Sequence, residues 1–374
     1  MHHVYLVPGF FGFANLGDLT YFGHVHDFLM TAFARRGLTL RVDVVCTRPT
    51  ASLLRRAERL ADTMARTLRD DDGSVHLIGH SSGGLDVRLL LDRGVRLPGD
   101  LDVERITSRV RTAVTVATPH HGTPLAGFFA SVLGERLLQA LSLATMAMLR
   151  FGRVPLSAII ALGAAFARVD GFLGINSALL DEVFDKLLAD FSPPRREAVA
   201  AFLTEVRGEQ GLLTQLTPEA MEVFDAAVRL RPDVRAGSVV TRALAPNLQS
   251  RWRVGLDPAG QATYGIYAVM HRLSRLAPER VPPLDDAQAN VLRDAFGTLP
   301  DAAASDGVVP TRSQPWGEVI DAVEADHLDI LGHYGDLAHD PPHIDWVTTG
   351  SGCTTPRFEA VWNAVVEWML RDGS

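Results

Sequence analysis

The chain is almost without lysine. It holds 36 basic side chains in 374 residues, and all but Lys186 are arginines. They form no stripe, and the net charge is −8. Nucleic-acid phosphates need a concentrated cationic face, so nucleic acid is excluded as a partner. Cysteine is scarce too. Cys46 and Cys353 are the only two, which excludes a disulfide framework and leaves two free thiols as the expectation. Long apolar runs are missing. Residues 137–149 and 154–167 are uncharged, but each falls short of the roughly 20 residues that span a bilayer. Arg150 and Arg153 interrupt them. Internal repeats and low-complexity segments are absent as well. No secretory leader is visible, because Met1-His2-His3 runs straight into the apolar run 4–7. The expectation is a cytoplasmic protein, with secretion following only if a leader has been removed.

What is present is a sizeable core. Hydrophobic residues make up 47% of the chain and charged residues 21%, ordinary values for a globular protein. The length suits one large domain with an insertion. Strand signals at 4–7, 40–45, 74–78 and 113–117 alternate with helical spacing at 51–69 and 85–91. That alternation predicts a mostly parallel sheet flanked by helices. From Leu125 to about Ala236 nearly everything reads as helix. The two uncharged stretches there are either buried helices or a cap whose apolar face covers a pocket or meets a lipid surface. A strand signal returns at 237–241, residues 244–263 read as loop, and 358–370 closes the chain as an amphipathic helix. The predicted division is a core of residues 1–125 and 237–374 with a helical cap at 126–236.

The chemistry centres on "GHSSGG", residues 79–84. A phosphate loop needs a lysine that is absent, and a dinucleotide loop needs a G-x-G that His80 breaks. G-x-S-x-G fits. It follows an apolar strand and precedes a helix, which is the setting of a nucleophile elbow. The turn needs small residues two before and two after the nucleophile. Ser81 has glycine at both places and Ser82 only after, so Ser81 is the candidate nucleophile. A serine also needs a base, an orienter for that base, and donors for the oxyanion.

In this arrangement the acid and then the histidine follow the serine. Of the 13 histidines, five precede Ser81 and His80 lies within the elbow. His120 and His121, in "ATPHHGTP", follow a strand expected beside the elbow. His80, His120 and Phe11 are candidates for the pocket lining. His271 reads as helical. Asp306, in "SDGVVP", can sit on a tight Asp-Gly turn. His327 follows about twenty residues later, with His333 as the alternative. His339 and His343 lie in a proline- and aspartate-rich stretch and read as surface residues. The oxyanion donors expected are the N–H groups of Ser82 and of Phe10, the latter in the "VPGFFGF" loop after the first strand. Phe11 and Phe13 fit a core or an acyl-pocket wall.

These motifs together resemble the α/β-hydrolase superfamily, and within it bacterial triacylglycerol lipases and carboxylesterases. "GHSSGGLDVR" is similar to their elbow and helix start. "VPGFFG" stands where they usually carry His-Gly, with proline replacing the histidine. "TPHHGTPLA", "LLTQLTPEAM", "SDGVVP" and "DHLD" resemble further segments in the family order. The resemblance implies an α/β-hydrolase fold with a helical cap or lid. It implies ester hydrolysis through Ser81, His327 and Asp306, on a small-molecule ester or lipid substrate with transient lipid-interface contact through the cap. No cofactor is required. Some such lipases hold a structural calcium, for which Asp329 and, loosely, Asp285 match; two solvated aspartates are the simpler reading. An acyltransferase or thioesterase would use the same triad, and a non-catalytic binder of apolar ligands is the rival of another class.

Overall fold

A computed structural model describes residues 1–10, 21–48, 50–68, 72–98, 101–151, 154–170, 181, 183–187, 211–345 and 347–371. Six strands form one sheet: β1 His2–Val7, β2 Leu40–Val44, β3 Ser74–His80, β4 Val110–Val116, β5 Arg235–Arg242 and β6 Glu318–Glu324. Their order is β2-β1-β3-β4-β5-β6, and every pair is parallel. Parallel strands need crossovers, and helices supply them. These are α1 Gly23–Arg35, α2 Leu53–Thr67, α3 Ser82–Leu90 and α4 Val103–Thr107 in the first half. Between β4 and β5 come α5 Pro124–Phe129, α6 Val132–Phe151, α7 Leu156–Asp170, α8 Gly211–Gln215 and α9 Pro218–Ala227. Then follow α10 Leu248–Arg253, α11 Pro258–Leu273, α12 Asp286–Phe296 and α13 Thr355–Leu370.

Side chains alternate across a strand, so each strand feeds two cores. Val4 and Leu6 of β1, Ile78 of β3 and Val114 and Val116 of β4 join α1 and α13 in one cluster. Tyr5 and Val7, Val75 and Leu77, and Ala113 point the other way, onto α2 and α3. Helices thus cover both faces, which is why the central strands read as continuous apolar runs.

The uncharged run at 137–149 falls within α6, and that at 154–167 falls within α7 from Leu156 on. Leu137, Leu141 and Ala144 recur at helical spacing and are buried. Gly163 of α7 lies against Ala262 of α11. Among the described residues no helix is long and apolar enough to cross a membrane.

Two sequence expectations are corrected. Residues 244–263 are not loop but hold α10 and the start of α11. Local caps explain the difference: Asn247 and Ser250 form a capping box, and Asp257 accepts the Gly260 N–H ahead of Pro258. His343 is not a surface residue; it is buried between Gly332 and Tyr334. Neither Cys46 nor Cys353 forms a disulfide among the described residues.

Candidate active site

Sheet order brings the site together. β1 and β3 are neighbours whose helices leave in opposite directions, so their C-terminal ends flank a crevice at the switch point. The loop after β1 and the turn after β3 meet there.

The turn after β3 is strained. Ser81 has φ 55° and ψ −133°, outside the usual range for a residue with a side chain. The surroundings enforce it. Ser81 N–H donates to the Val116 carbonyl at 2.8 Å, and Ser81 C=O caps the first turn of α3 through Gly84 N–H at 3.1 Å. A Cβ on Gly79 would lie 2.5 Å from the Gly84 backbone, and one on Gly83 would lie 2.2 Å from the Val7 carbonyl oxygen. Both flanking glycines are therefore steric requirements. Gly9 of the β1 loop comes so close that its Cβ would lie 2.4 Å from the Cβ of Ser81.

Ser81 Oγ is 3.0 Å from His327 Nε2, and His327 Nδ1 is 2.8 Å from Asp306 Oδ2. All three residues are buried. A carboxylate only accepts, so Nδ1 carries the proton and Nε2 accepts from the Ser81 hydroxyl. The structure thus brings together the three residues singled out in the sequence, and His327 rather than His333 reaches the serine.

Asp306 is held from several sides. Its Oδ1 accepts from the N–H groups of Val308 and Val309 at 2.9 and 2.7 Å. Its Oδ2 accepts from the Thr241 hydroxyl at 2.9 Å and from Gln314 Nε2 at 3.4 Å. Gly307 turns the chain at φ 97°, and His327 N–H donates to the Asp306 carbonyl at 3.1 Å. The acid and histidine turns are thereby locked to one another.

Phe10 is buried directly after Gly9, and Ser82 opens α3. Phe11 and Phe13 lie outside the described residues. His80 is fully buried, with Nδ1 against the Tyr21 hydroxyl at 2.6 Å and Nε2 against the His327 carbonyl at 2.9 Å. Burial holds its pKa well below the ordinary imidazole value, and the neighbouring His327 adds to this. His120 is equally engaged. Arg88 approaches its Nδ1 at 3.1 Å, its Nε2 lies 3.0 Å from the Thr115 hydroxyl, and Trp316 stacks on its ring. Neither His80 nor His120 is among the residues lining the cavity beside His327. Their ring nitrogens face protein, and both rings are buried.

The paired-aspartate reading also fails. The Asp285 carboxylate accepts the Gln288 N–H as the N-cap of α12. Asp329 is buried elsewhere, accepting from the Ser351 hydroxyl and the Asp326 N–H. Burial pushes its pKa up to about 6. Among the described residues no group of three or more His, Cys, Asp or Glu side chains could hold a metal. The residues present do not fit a calcium shared by Asp285 and Asp329.

Several contributors were not anticipated. Thr241 and Gln314 behind the acid, and Tyr21 behind His80, come from distant segments. Arg56 and Asp86 form a fully buried ion pair at 2.8 Å, and Arg56 also donates to the Pro8 carbonyl at 2.6 Å. Arg56 interrupts the apolar face of α2 (Leu53, Ala57, Leu60), the one local sign of a buried charge. Beside Asp306 and His327 a cavity is lined by Leu141, Thr145, Tyr267, Met270, Val308 and Leu328.

The six-stranded sheet with its helices and elbow is the α/β-hydrolase fold, and solved structures agree. Over 100% of this chain and 99% of the other, it is similar to lipase 1 from Pelosinus fermentans, at 17% identity and a TM-score of 0.56. EstA from Clostridium botulinum aligns over 98% of this chain and 87% of its own, at 19% identity and a TM-score of 0.52. Staphylococcus hyicus lipase aligns over 99% and 95%, at 14% identity and a TM-score of 0.51. The chain thus resembles bacterial lipases and EstA in fold. No protein-family model and no curated protein matches its sequence.

Proposed function

We propose that this chain is a serine hydrolase of carboxylic esters, working through an acyl-enzyme. The observation that carries the reading is the unbroken hydrogen-bonded series Ser81–His327–Asp306 on a strained elbow. His327 Nε2 takes the Ser81 proton as Oγ attacks the ester carbonyl. Asp306 keeps Nδ1 protonated and stabilises the imidazolium that forms. We assign the oxyanion to the backbone N–H groups of Phe10 and Ser82, on the strength of the close approach of Gly9 to Ser81. His327 then protonates the leaving alcohol, and water repeats the sequence in reverse to release the acid.

The cavity beside His327 presents a mostly apolar surface, although Asp326 and Asp345 also line it, and it is bordered by α6 and α11. It suits the acyl part of the substrate, where each buried CH₂ contributes about 0.8 kcal/mol. The helices after β4 act in this reading as a cap, with lipid-surface contact as its second use. A chain-length series of p-nitrophenyl esters tests the proposal. Wild type should turn over at least one length and Ser81→Ala none, with Ser81 taking up a fluorophosphonate. Turnover that survives in Ser81→Ala would refute it. A rise in rate as substrate passes into micelles would support cap–lipid contact, and a flat response would remove it.

A further inference from the structure

We propose that Tyr21 and His80 are positioning residues, joining the β1 loop, the elbow and the histidine turn through one directed hydrogen-bond chain. The inference rests on the hydrolase reading above. Its direction follows from chemistry. The His327 carbonyl only accepts, so the proton of neutral His80 sits on Nε2, 2.9 Å away. Nδ1 of that tautomer is an acceptor, and the Tyr21 hydroxyl at 2.6 Å donates to it. The Gly9 backbone N–H faces the Tyr21 oxygen from the other side. The order is Tyr21 O–H to His80 N–H to His327 C=O, with the Gly9 backbone at its head. Each donor is used once and points the same way. Tyr21 and His80 are buried, so water cannot substitute.

The ends of this chain are what matter. Gly9 is the residue packed on Ser81 and adjoins Phe10. His80 adjoins Ser81. The two neighbours therefore grip the same residue: Ser81 through the ring of His327, His80 through its backbone. The His80 and His327 rings lie 4.7 Å apart between centroids, so the second grip runs alongside the first. A third histidine steadies the anchor, with His333 Nε2 3.3 Å from the Tyr21 carbonyl. Attachment at two points fixes both the distance and the tilt of the base. Misplacing a catalytic group by 1 Å can cost about 100-fold in rate.

Three variants test this: His80→Leu, which breaks the chain; His80→Gln, whose amide N–H can still reach the carbonyl; and Tyr21→Phe, which removes only the hydroxyl. Active sites are counted with a fluorophosphonate, and kcat and KM are measured on p-nitrophenyl butyrate. Per active site, His80→Leu should lose about 10- to 100-fold in kcat with KM unchanged. His80→Gln should recover most of that loss. Tyr21→Phe should fall between, and combining it with His80→Leu should add nothing. Equal kcat in all variants would overturn the chain, as would a loss in His80→Leu that Gln does not relieve. If His80→Leu does not fold, Tyr21→Phe and His80→Gln decide by the same criteria. Amide exchange over residues 325–331 provides a readout without catalysis. Exchange should quicken in Tyr21→Phe, and unchanged exchange also overturns the proposal. A wild type that neither hydrolyses esters nor takes up the fluorophosphonate would end the hydrolase reading, leaving exchange to decide whether the chain holds the turn.

Discussion

Asp306→Asn separates the chemistry of the acid from its structural work. The carboxylate has two differently employed oxygens. Oδ1 receives the Val308 and Val309 N–H groups, and an asparagine carbonyl can do the same. The amide nitrogen then falls where Oδ2 was, 2.8 Å from His327 Nδ1. Thr241 can adapt, because its hydroxyl is also 3.1 Å from Gln314 Oε1 and can turn its proton there. The fold should therefore persist. His327 cannot adapt without cost. Facing an N–H, its Nδ1 must accept, so the proton moves to Nε2 and no lone pair remains for the Ser81 hydroxyl. A wrong tautomer of this kind lowers kcat by about 10⁴-fold. At 1.36 kcal/mol per tenfold, that raises the barrier by about 5.5 kcal/mol. The assay is steady-state hydrolysis of p-nitrophenyl butyrate, normalised to folded protein by circular dichroism and a melting curve. An Asp306→Asn protein that melts like wild type and keeps more than about a tenth of its kcat would refute the tautomer argument.

Four further outcomes are expected. Ser82→Ala keeps the backbone N–H and removes a buried hydroxyl with no partner, so it should retain most activity and melt no lower than wild type; a loss as large as that of Ser81→Ala would put the nucleophile in question. Gly9→Ala should cost at least about 100-fold in kcat, because its methyl would lie 2.4 Å from the Cβ of Ser81; full activity in that variant would show that the loop can move freely. Burial holds His333 and His271 at about 4, so their stability is complete above pH 6.5 and lost as pH falls toward 4; His333→Gln should lose on the order of 2 kcal/mol less than wild type between pH 7 and 5 in urea melts, and parallel curves would contradict this. Truncating Arg56 alone to Met should destabilise by about 3–5 kcal/mol, whereas the double change Arg56→Met, Asp86→Leu should recover much of that stability; a double variant no more stable than the single would sink the pairing argument.

How much was legible depended on whether backbone or side chains did the work. Gly79 and Gly83 were readable because an elbow forbids Cβ atoms at those two places, a constraint visible at fixed spacing around Ser81. Asp306 was readable because Gly307 must turn the chain beside it. His327 follows from chain order, and it lies against Ser81. The sheet was readable for β1 to β5 from apolar runs, but not for β6. Its sequence, EVIDAVE, is broken by Asp321 and only partly buried. Partners that act across long separations left no local signal. Thr241 meets Asp306 across 65 residues and Tyr21 meets His80 across 59. The partners of His80 and His120 have no local signature either, because each ring is held by residues from other segments. Asp285 shows the opposite case: its capping box with Gln288 is local and legible in the spacing.

The Arg56–Asp86 pair shows what the fold gives up for position. Both side chains are wholly buried. An arginine at 2.8 Å should depress a carboxyl, yet Asp86 is raised to about 6 because burial outweighs the partner. The pair is therefore a poor source of stability, as buried ion pairs commonly are. What it does supply is direction. The guanidinium spends its donors on Asp86, the Arg48 carbonyl and the Pro8 carbonyl. Asp86 lies on α3, behind Ser81, and Pro8 precedes Gly9. The charge thus ties the helix of the elbow to the loop that packs on it. The strain at Ser81, about 1–3 kcal/mol for such a backbone, acts at the same junction. Two unfavourable features meet where Gly9, Ser81 and Ser82 must hold their spacing. A chain selected only for stability would remove both. Their coexistence at the switch point is what the proposed function, with an oxyanion held beside a nucleophile, requires.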